Sequence, residues 1–315
     1  MSNRLFVSDG LAPEGLALLA TAGEVTADSK ITADALRAAL PGYQALVVRS
    51  RTKVTAELLA AGPDLKVIGR AGVGVDNIDV AAAVARGVVV VNSPMAASVS
   101  VAEHTLGLML ALARQIPAAD ALLKQGKWDK SAFVGGELSG KVLGLLGLGR
   151  IGALVANRAT AFGMTVVAYD PYLTADQIRE RHAEPADFDA VLARADYVSL
   201  HLPLTAETTG LLGAAQLAKL KKGARLVCAA RGGVIDEAAL VAALDAGRLA
   251  GAALDVFAQE PPPAGSIAQH PKIIATPHIG AQTAEAQNRA GLAIAEEVLA
   301  VLAGREPRWR VLRNE

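Results

Sequence analysis

The chain is predicted to be an α/β protein with mainly parallel strands, on three observations. Short β-branched runs alternate with alanine- and leucine-rich helical patterns from end to end, which is how strands joined by crossover helices read. One strand–helix junction carries three glycines in the order Gly147-x-Gly149-x-x-Gly152. The length of 315 residues fits about two domains.

The elements follow in order. Strands are expected at residues 5–7, 45–49, 66–69 and 88–92, with helices at 33–40, 56–61 and 80–86 between them. Together they make a small open α/β domain. A long helical pattern at 99–115 leads into the glycine-bearing unit, whose second strand runs into Asp170. Further strands are expected at 197–200, 225–229, 251–255 and 272–275, and residues 284–302 read as a long helix. No solenoid repeat or low-complexity block interrupts the alternation. Pro261, Pro262 and Pro263 stiffen a loop and are too few to form a linker between domains.

The glycine turn, which also contains Arg150 and Ile151, lets backbone approach a pyrophosphate whose charge is met by a helix N-terminus. Asp170 lies 23 residues after Gly147, where a carboxylate can accept hydrogen bonds from both ribose hydroxyls of an adenosine. The same charge would repel a 2′-phosphate, so NAD is expected and not NADP. A second glycine run, from Gly135 to Lys141, matches the first seven positions of a phosphate-binding P-loop. Val142 stands where Mg²⁺ binding needs Ser or Thr, and the run precedes a strand instead of following one, so a triphosphatase is not expected.

Composition narrows the partners. Lysine plus arginine equals aspartate plus glutamate at 31 each, so no basic field draws the chain to nucleic acid or an acidic membrane. It is 52% hydrophobic and 20% charged, which excludes disorder. A single cysteine, Cys228, excludes an intrachain disulfide framework and fits a reducing compartment. It reads as a small core residue. Ser8 and Asp9 cut the N-terminal apolar run short, so no signal peptide is expected. The apolar stretch 106–113 is far below the ~20 residues of a membrane span. The expectation is a cytoplasmic protein. No His, Cys and Asp cluster has metal-ligand spacing, so no metal is expected, and no Gly-x-Ser-x-Gly elbow points to a serine hydrolase.

Ligands of a doubly wound sheet lie beyond the carboxyl ends of its strands, and there the second half delivers Arg231, Glu260 and His278 from three separate strands. The set suits hydride transfer at a 2-hydroxy or 2-keto acid. The Arg231 fork can hold a carboxylate or carbonyl oxygen by two charge-assisted bonds. His278 can take the hydroxyl proton and return it in reverse, while Glu260 orients the imidazole and favours its protonated form. Asp255 is expected on the nicotinamide side, and the chain at Leu202, Pro203, Ala229, Gly280 and Ala281 is expected to line the cofactor crevice. Each residue alone has a plainer reading: a solvated arginine, a loop carboxylate, a structural histidine. Their arrival at successive strand ends beside a dinucleotide turn favours catalysis. His104 lies inside the long helical pattern and is expected to be a packed helix residue, His201 is expected to contribute backbone only, and His182 and His270 are expected to be exposed.

With these residues in place the chain resembles the D-isomer-specific 2-hydroxyacid dehydrogenase family. The matching segments are 147–152, 229–237, 251–257 with Glu260 and Pro261, and 276–280. Segments 48–53, 69–79, 114–117 and 126–128 carry a likeness to members that act on a phosphorylated acid. The resemblance implies two Rossmann-like doubly wound domains, with the cofactor domain at 99–285 inserted into a discontinuous substrate domain of residues 1–98 and 286–315, and catalysis in the cleft. Arg231, Glu260 and His278 fall on the family's catalytic positions. Gly72, Val73 and Gly74 fall on the loop whose amides meet the substrate carboxylate. Arg49, Arg51 and Arg70 fall near positions that would face a substrate phosphate; otherwise they are surface ion pairs. A homodimer paired through the cofactor domains is implied.

The expected reaction is NAD-dependent oxidation of 3-phospho-D-glycerate to 3-phosphohydroxypyruvate at the entry to serine synthesis. Met95, Ala96 and Ala97 stand where small polar residues are usual near that substrate, which leaves room for a reductase of glyoxylate, hydroxypyruvate or another 2-keto acid. A reading of another class is an NAD-sensing protein resembling the family-related corepressors. The chain ends soon after the 284–302 helix, so regulatory domains and serine feedback are not expected.

Overall fold

A computed structural model describes residues 2–312. The chain divides into two compact units, Met1–Ser98 with Ala281–Glu315, and Val99–Gly280. The return to the first unit thus falls at 280/281 instead of the expected 285/286, and Ala281 belongs to the first unit. Residue 1 and residues 313–315 of the expected substrate-domain span lie outside the described residues.

The first unit is built on β1 (Asn3–Val7), β2 (Gly23–Ala27), β3 (Ala45–Val48), β4 (Val67–Arg70), β5 (Val89–Asn92) and a late strand, Arg310–Val311. The order is β2-β1-β3-β4-β5, closed by Arg310–Val311 antiparallel on β5, with every other pairing parallel. Strand order reverses between β1 and β3, so this sheet has its own switch point. Its interior strands, such as β3 and β4, read as continuous apolar runs because both faces are covered. Leu46 and Val48 of β3 enter one cluster, while Ala45 and Val47 join Ile294, Ala295 and Val298 of the long helix Ala284–Leu302 in another.

The second unit carries β6 (Val142–Leu146), β7 (Thr165–Tyr169), β8 (Glu184–Pro185), β9 (Tyr197–Leu200), β10 (Ala224–Cys228), β11 (Leu249–Leu254) and β12 (Ile273–Ala275). All are parallel, in the order β8-β7-β6-β9-β10-β11-β12. The switch point lies between β6 and β9, and β6 is the strand that runs into the glycine turn. Leu143 and Leu145 point into one cluster and Leu146 into the other.

The ten strands read from sequence agree with these bounds to within two residues. The three that were not read, β2, β8 and Arg310–Val311, are all edge strands. Their half-exposed patterns carry no apolar run, because only one side of an edge is packed. The long helix expected at 99–115 is Ser98–Arg114, and a second helix, Ile116–Lys124, follows it after Gln115, whose φ is a left-handed 54°. Pro117 has no N–H and its ring crowds the carbonyl four residues back, at Ala113. That carbonyl instead accepts from the Gly136 N–H at 2.9 Å. Among the described residues no single helix is long and apolar enough to cross a membrane.

Ile68 is fully buried on β4, between β3 and β5. Ile68→Ala should lower the unfolding free energy by about 2–5 kcal/mol, the usual cost of emptying a core site that relaxes incompletely. Urea unfolding followed by circular dichroism checks this; an unchanged midpoint would mean the site collapses around the smaller side chain.

Candidate active site

The glycine turn follows from close approaches. Gly147 has φ 88°, and a Cβ there would lie 2.5 Å from the His201 carbonyl oxygen and 2.8 Å from the Leu202 side chain. A Cβ at Gly149 would meet nothing within 4 Å, so the backbone is open to a ligand on that side. Arg150 and Ile151 open the helix Arg150–Ala161, and Gly152 is buried in its first turn. Gly149 caps this helix without a side-chain hydrogen bond, leaving its first N–H groups for an anion. Asp170, one residue past β7, accepts from Leu148 N–H at 2.9 Å and Tyr172 N–H at 3.0 Å. Its carboxylate is thereby fixed beside the turn with lone pairs to spare. These residues fit a dinucleotide: turn, uncapped helix and carboxylate meet at one end of β6 and β7.

On the far side of the switch point, His201 follows β9. Its Nε2 lies 2.9 Å from Ser199 Oγ, and its Nδ1 is enclosed without a hydrogen-bond partner. The side chain, and not the backbone alone, packs beside the turn, its Cβ 3.8 Å from where a Cβ at Gly152 would lie. Leu202 touches the glycine turn, Pro203 O accepts from Thr208 Oγ1 at 2.7 Å, and Ala229 is buried just past β10.

Arg231, Glu260 and His278 come from the loops after β10, β11 and β12. Gly232 lets the first two loops meet, because a Cβ there would fall 1.8 Å from the Phe257 carbonyl oxygen. Arg231 Nη1 bonds Ala230 O at 2.7 Å. Buried Cys228 holds Arg231 O through its thiol at 3.8 Å, and burial pushes that thiol up to about 11, so it stays protonated. Glu260 receives Phe257 N–H on Oε1 at 3.1 Å, and its Oε2 lies 2.7 Å from His278 Nδ1. Burial pushes the Glu260 carboxyl up, but the bonds from His278 and Phe257 outweigh it and hold the group below its ordinary value. A carboxylate only accepts, so His278 Nδ1 carries the proton between them.

The loop bearing His278 is organised by Asp255, which is 1% exposed. Its Oδ1 accepts Thr276 Oγ1–H at 2.6 Å and Ile279 N–H at 2.8 Å, and its Oδ2 accepts Gly280 N–H at 2.8 Å. The His278 N–H bonds the Asp255 carbonyl at 2.9 Å. Burial raises the Asp255 carboxyl, and the bonds from His104, Thr276, Ile279 and Gly280 bring it below the usual value. His104 was expected only to pack inside its helix; its Nε2 is 3.2 Å from Thr276 Oγ1 and 3.4 Å from Asp255 Oδ1. Nothing in sequence spacing joins residues 104, 255 and 276. His270, expected to be exposed, has an 11% exposed side chain 3.1 Å from Asp245. Among the described residues no group of three or more His, Cys, Asp or Glu could hold a metal ion.

In the first unit, the loops after β1 and β3 share one carboxylate. Asp9 accepts the Arg49 N–H at 2.7 Å and the Thr52 N–H at 3.0 Å, and its Oδ1 receives the Thr52 hydroxyl. The Arg51 guanidinium is taken up locally, by Asp9 at 3.2 Å, by Ile31 O at 2.8 Å and by Ser8 O. Arg51 thus clamps its own loop. Arg49 Nη2 reaches Gln282 Oε1 at 3.3 Å and borders a cavity of about 640 Å³ shared with Glu14, Glu285 and Asn288. Arg70 folds over Gly72, filling the place of a side chain there. The carbonyls of Gly72 and Val73 are tied by Ser93 N–H at 2.9 Å and Asn92 Nδ2 at 2.6 Å, and Gly74 continues the loop.

Burial lowers the His201 imidazole from 6.5 to about 4. As pH falls from about 6.5 towards 4 the unfolded chain takes up this proton first, so stability is lost over that window. His201→Gln should flatten the stability–pH curve there, measured by urea titrations at each pH; a curve unchanged by the substitution would assign the slope elsewhere.

Comparison with known proteins accords with this geometry. Residues 106–280 match the sequence model of the D-isomer specific 2-hydroxyacid dehydrogenase, NAD binding domain. The chain is 51% identical over 300 residues to D-3-phosphoglycerate dehydrogenase of Mycobacterium tuberculosis, covering 95% of this chain and 57% of that protein. It is 48% identical over 296 residues to the Bacillus subtilis D-3-phosphoglycerate dehydrogenase, covering 94% and 56%. It therefore spans somewhat more than half the length of these relatives. The solved structure of the TT0316 protein of Thermus thermophilus superposes with a TM-score of 0.88 at 37% identity, covering 98% of this chain and 99% of that one. The chain belongs to the D-isomer-specific 2-hydroxyacid dehydrogenase family.

Proposed function

We propose that the protein is an NAD-dependent dehydrogenase oxidising 3-phospho-D-glycerate to 3-phosphohydroxypyruvate. The observation that carries the reaction type is the His278–Glu260 pair at 2.7 Å, set at strand ends in the same unit as the dinucleotide turn. The substrate rests on the 51% identity to D-3-phosphoglycerate dehydrogenase. The turn Gly147–Gly152 and Asp170 would hold NAD, which would supply the hydride acceptor. His278 Nε2 removes the substrate hydroxyl proton as the C–H bond breaks. Its Nδ1–H is held by Glu260, so the carboxylate stabilises the imidazolium that forms. Arg231 holds the substrate's carboxylate or carbonyl oxygen. Arg49 and Arg70 of the first unit supply cationic groups suited to the phosphate, and the amides of residues 72–74 suit a carboxylate. Arg51, spent on Asp9, Ser8 and Ile31, supports this set indirectly.

A second reading, reduction of glyoxylate or hydroxypyruvate, draws on the apolar loop in which Met95 is 54% exposed while Ala96 and Ala97 are buried. NADH turnover on 3-phosphohydroxypyruvate and on hydroxypyruvate separates the two; faster use of the unphosphorylated acid would displace the first reading. His278→Ala should lower kcat by about 10²-fold or more while NADH binding, read by fluorescence, stays near wild type. Undiminished turnover would remove His278 as the proton carrier.

The proposal includes a homodimer in the cytoplasm. Its support is an unburied stretch of the second unit. The helix Ile116–Lys124 has no buried residue, and Ile116, Leu123, Trp128 and Val134 are 52%, 58%, 82% and 83% exposed. Apolar side chains this exposed along one segment mark an interaction surface. Leu123→Glu combined with Trp128→Glu should convert the dimer to monomer in analytical ultracentrifugation, and a species of unchanged mass would place the interface elsewhere.

A further inference from the structure

Two histidine–carboxylate couples surround the loop after β12. His278–Glu260 is the one the reaction uses. The other, His104–Asp255, packs against the same loop. Thr276 has one hydroxyl hydrogen and gives it to Asp255 Oδ1 at 2.6 Å. Asp255, held ionised by its donors, can only accept. An Nε2 lone pair 3.2 Å from Thr276 Oγ1 and 3.4 Å from Asp255 Oδ1 would face two acceptors with no hydrogen between them. The surroundings therefore fix the tautomer of His104: Nε2 bears the hydrogen and shares it between the two oxygens.

That hydrogen closes a circuit. It ties the helix Ser98–Arg114 to Thr276 and Asp255, and those two residues hold the segment 276–280 from both ends. The segment packs directly on the couple, since a Cβ at Gly280 would lie 3.1 Å from Asp255 Oδ2 and 3.7 Å from His104 Cδ2. Within it His278 adopts a left-handed φ of 53°, a conformation that non-glycine residues keep only where neighbours enforce it. Its side chain is 48% exposed, so packing on the imidazole itself supplies little of that enforcement.

We propose that His104 is a positioning residue for His278: its Nε2–H, shared by Thr276 and Asp255, holds the 276–280 segment in the conformation that sets the His278 imidazole against Glu260. The proposal rests on the dehydrogenase reading for its kinetic consequence but not for its structural one. His104→Phe keeps the ring and loses the donor; His104→Gln keeps a donor at similar reach.

In the full chain, His104→Phe should lower kcat on the wild-type enzyme's best 2-keto acid by roughly 10- to 100-fold, the scale of a small misplacement of a reacting group. NADH affinity by fluorescence should stay unchanged, and His104→Gln should recover most of the rate. The low-field proton resonance of His278 Nδ1–H should shift or broaden in the Phe variant and return in the Gln variant. Wild-type kcat in His104→Phe, or equal losses in both variants, overturns the proposal. If the wild type reduces no 2-keto acid, the dehydrogenase reading falls and the resonance decides alone: an unaltered His278 signal in His104→Phe then overturns the positioning role.

Discussion

The candidate site of the second unit depends on a carboxylate removed from water. Asp255 directly follows β11 and is nearly inaccessible, so its charge persists only because backbone N–H groups and a hydroxyl converge on it. Those donors belong to the segment that delivers His278. The cost of burying the charge and the geometry of that segment are thus one problem: the loop must take this shape for the carboxylate to be solvated by protein, and the carboxylate must stay ionised for the loop to hold it.

The first unit repeats the solution with different residues. Asp9 lies just past β1, with a side chain 1% exposed, and gathers the N–H groups of Arg49 and Thr52 together with the Thr52 hydroxyl. Asn77 secures the same loop from outside, donating to Arg49 O at 2.8 Å and Thr52 O at 2.7 Å. In both units a parallel sheet ends in loops whose backbone groups have no strand partner, and one buried aspartate supplies the missing acceptors. Side chains such as Arg49 and His278 can then stand half-exposed on a backbone that does not give way.

Much of this was legible in the sequence, for identifiable reasons. Interior strands such as β3 and β4 are apolar on both faces and announce themselves; β2, β8 and Arg310–Val311, packed on one side only, do not. The glycine turn and Asp170 were readable because their spacing is imposed by a local strand–turn–helix geometry. Arg231, Glu260 and His278 were readable because a parallel sheet gathers its strand ends at one rim. His104 was not, since its partners are 151 and 172 residues away in sequence and its helix carries an ordinary apolar pattern. The partners of Arg51 were equally hidden: that its guanidinium meets Asp9, Ser8 and Ile31 is a matter of side-chain reach, to which residue type is blind.

The break at Gln115 has a consequence for how this sequence can vary. Ala113 O and Gly136 N are joined by one hydrogen bond, and the chain between them makes an excursion that begins and ends at the same point of the fold. None of the residues of Ile116–Lys124 is buried, so the excursion owes the hydrophobic core almost nothing. It is a module on a clasp. Its side chains can drift without forcing compensating changes in the sheet, so long as the clasp is kept.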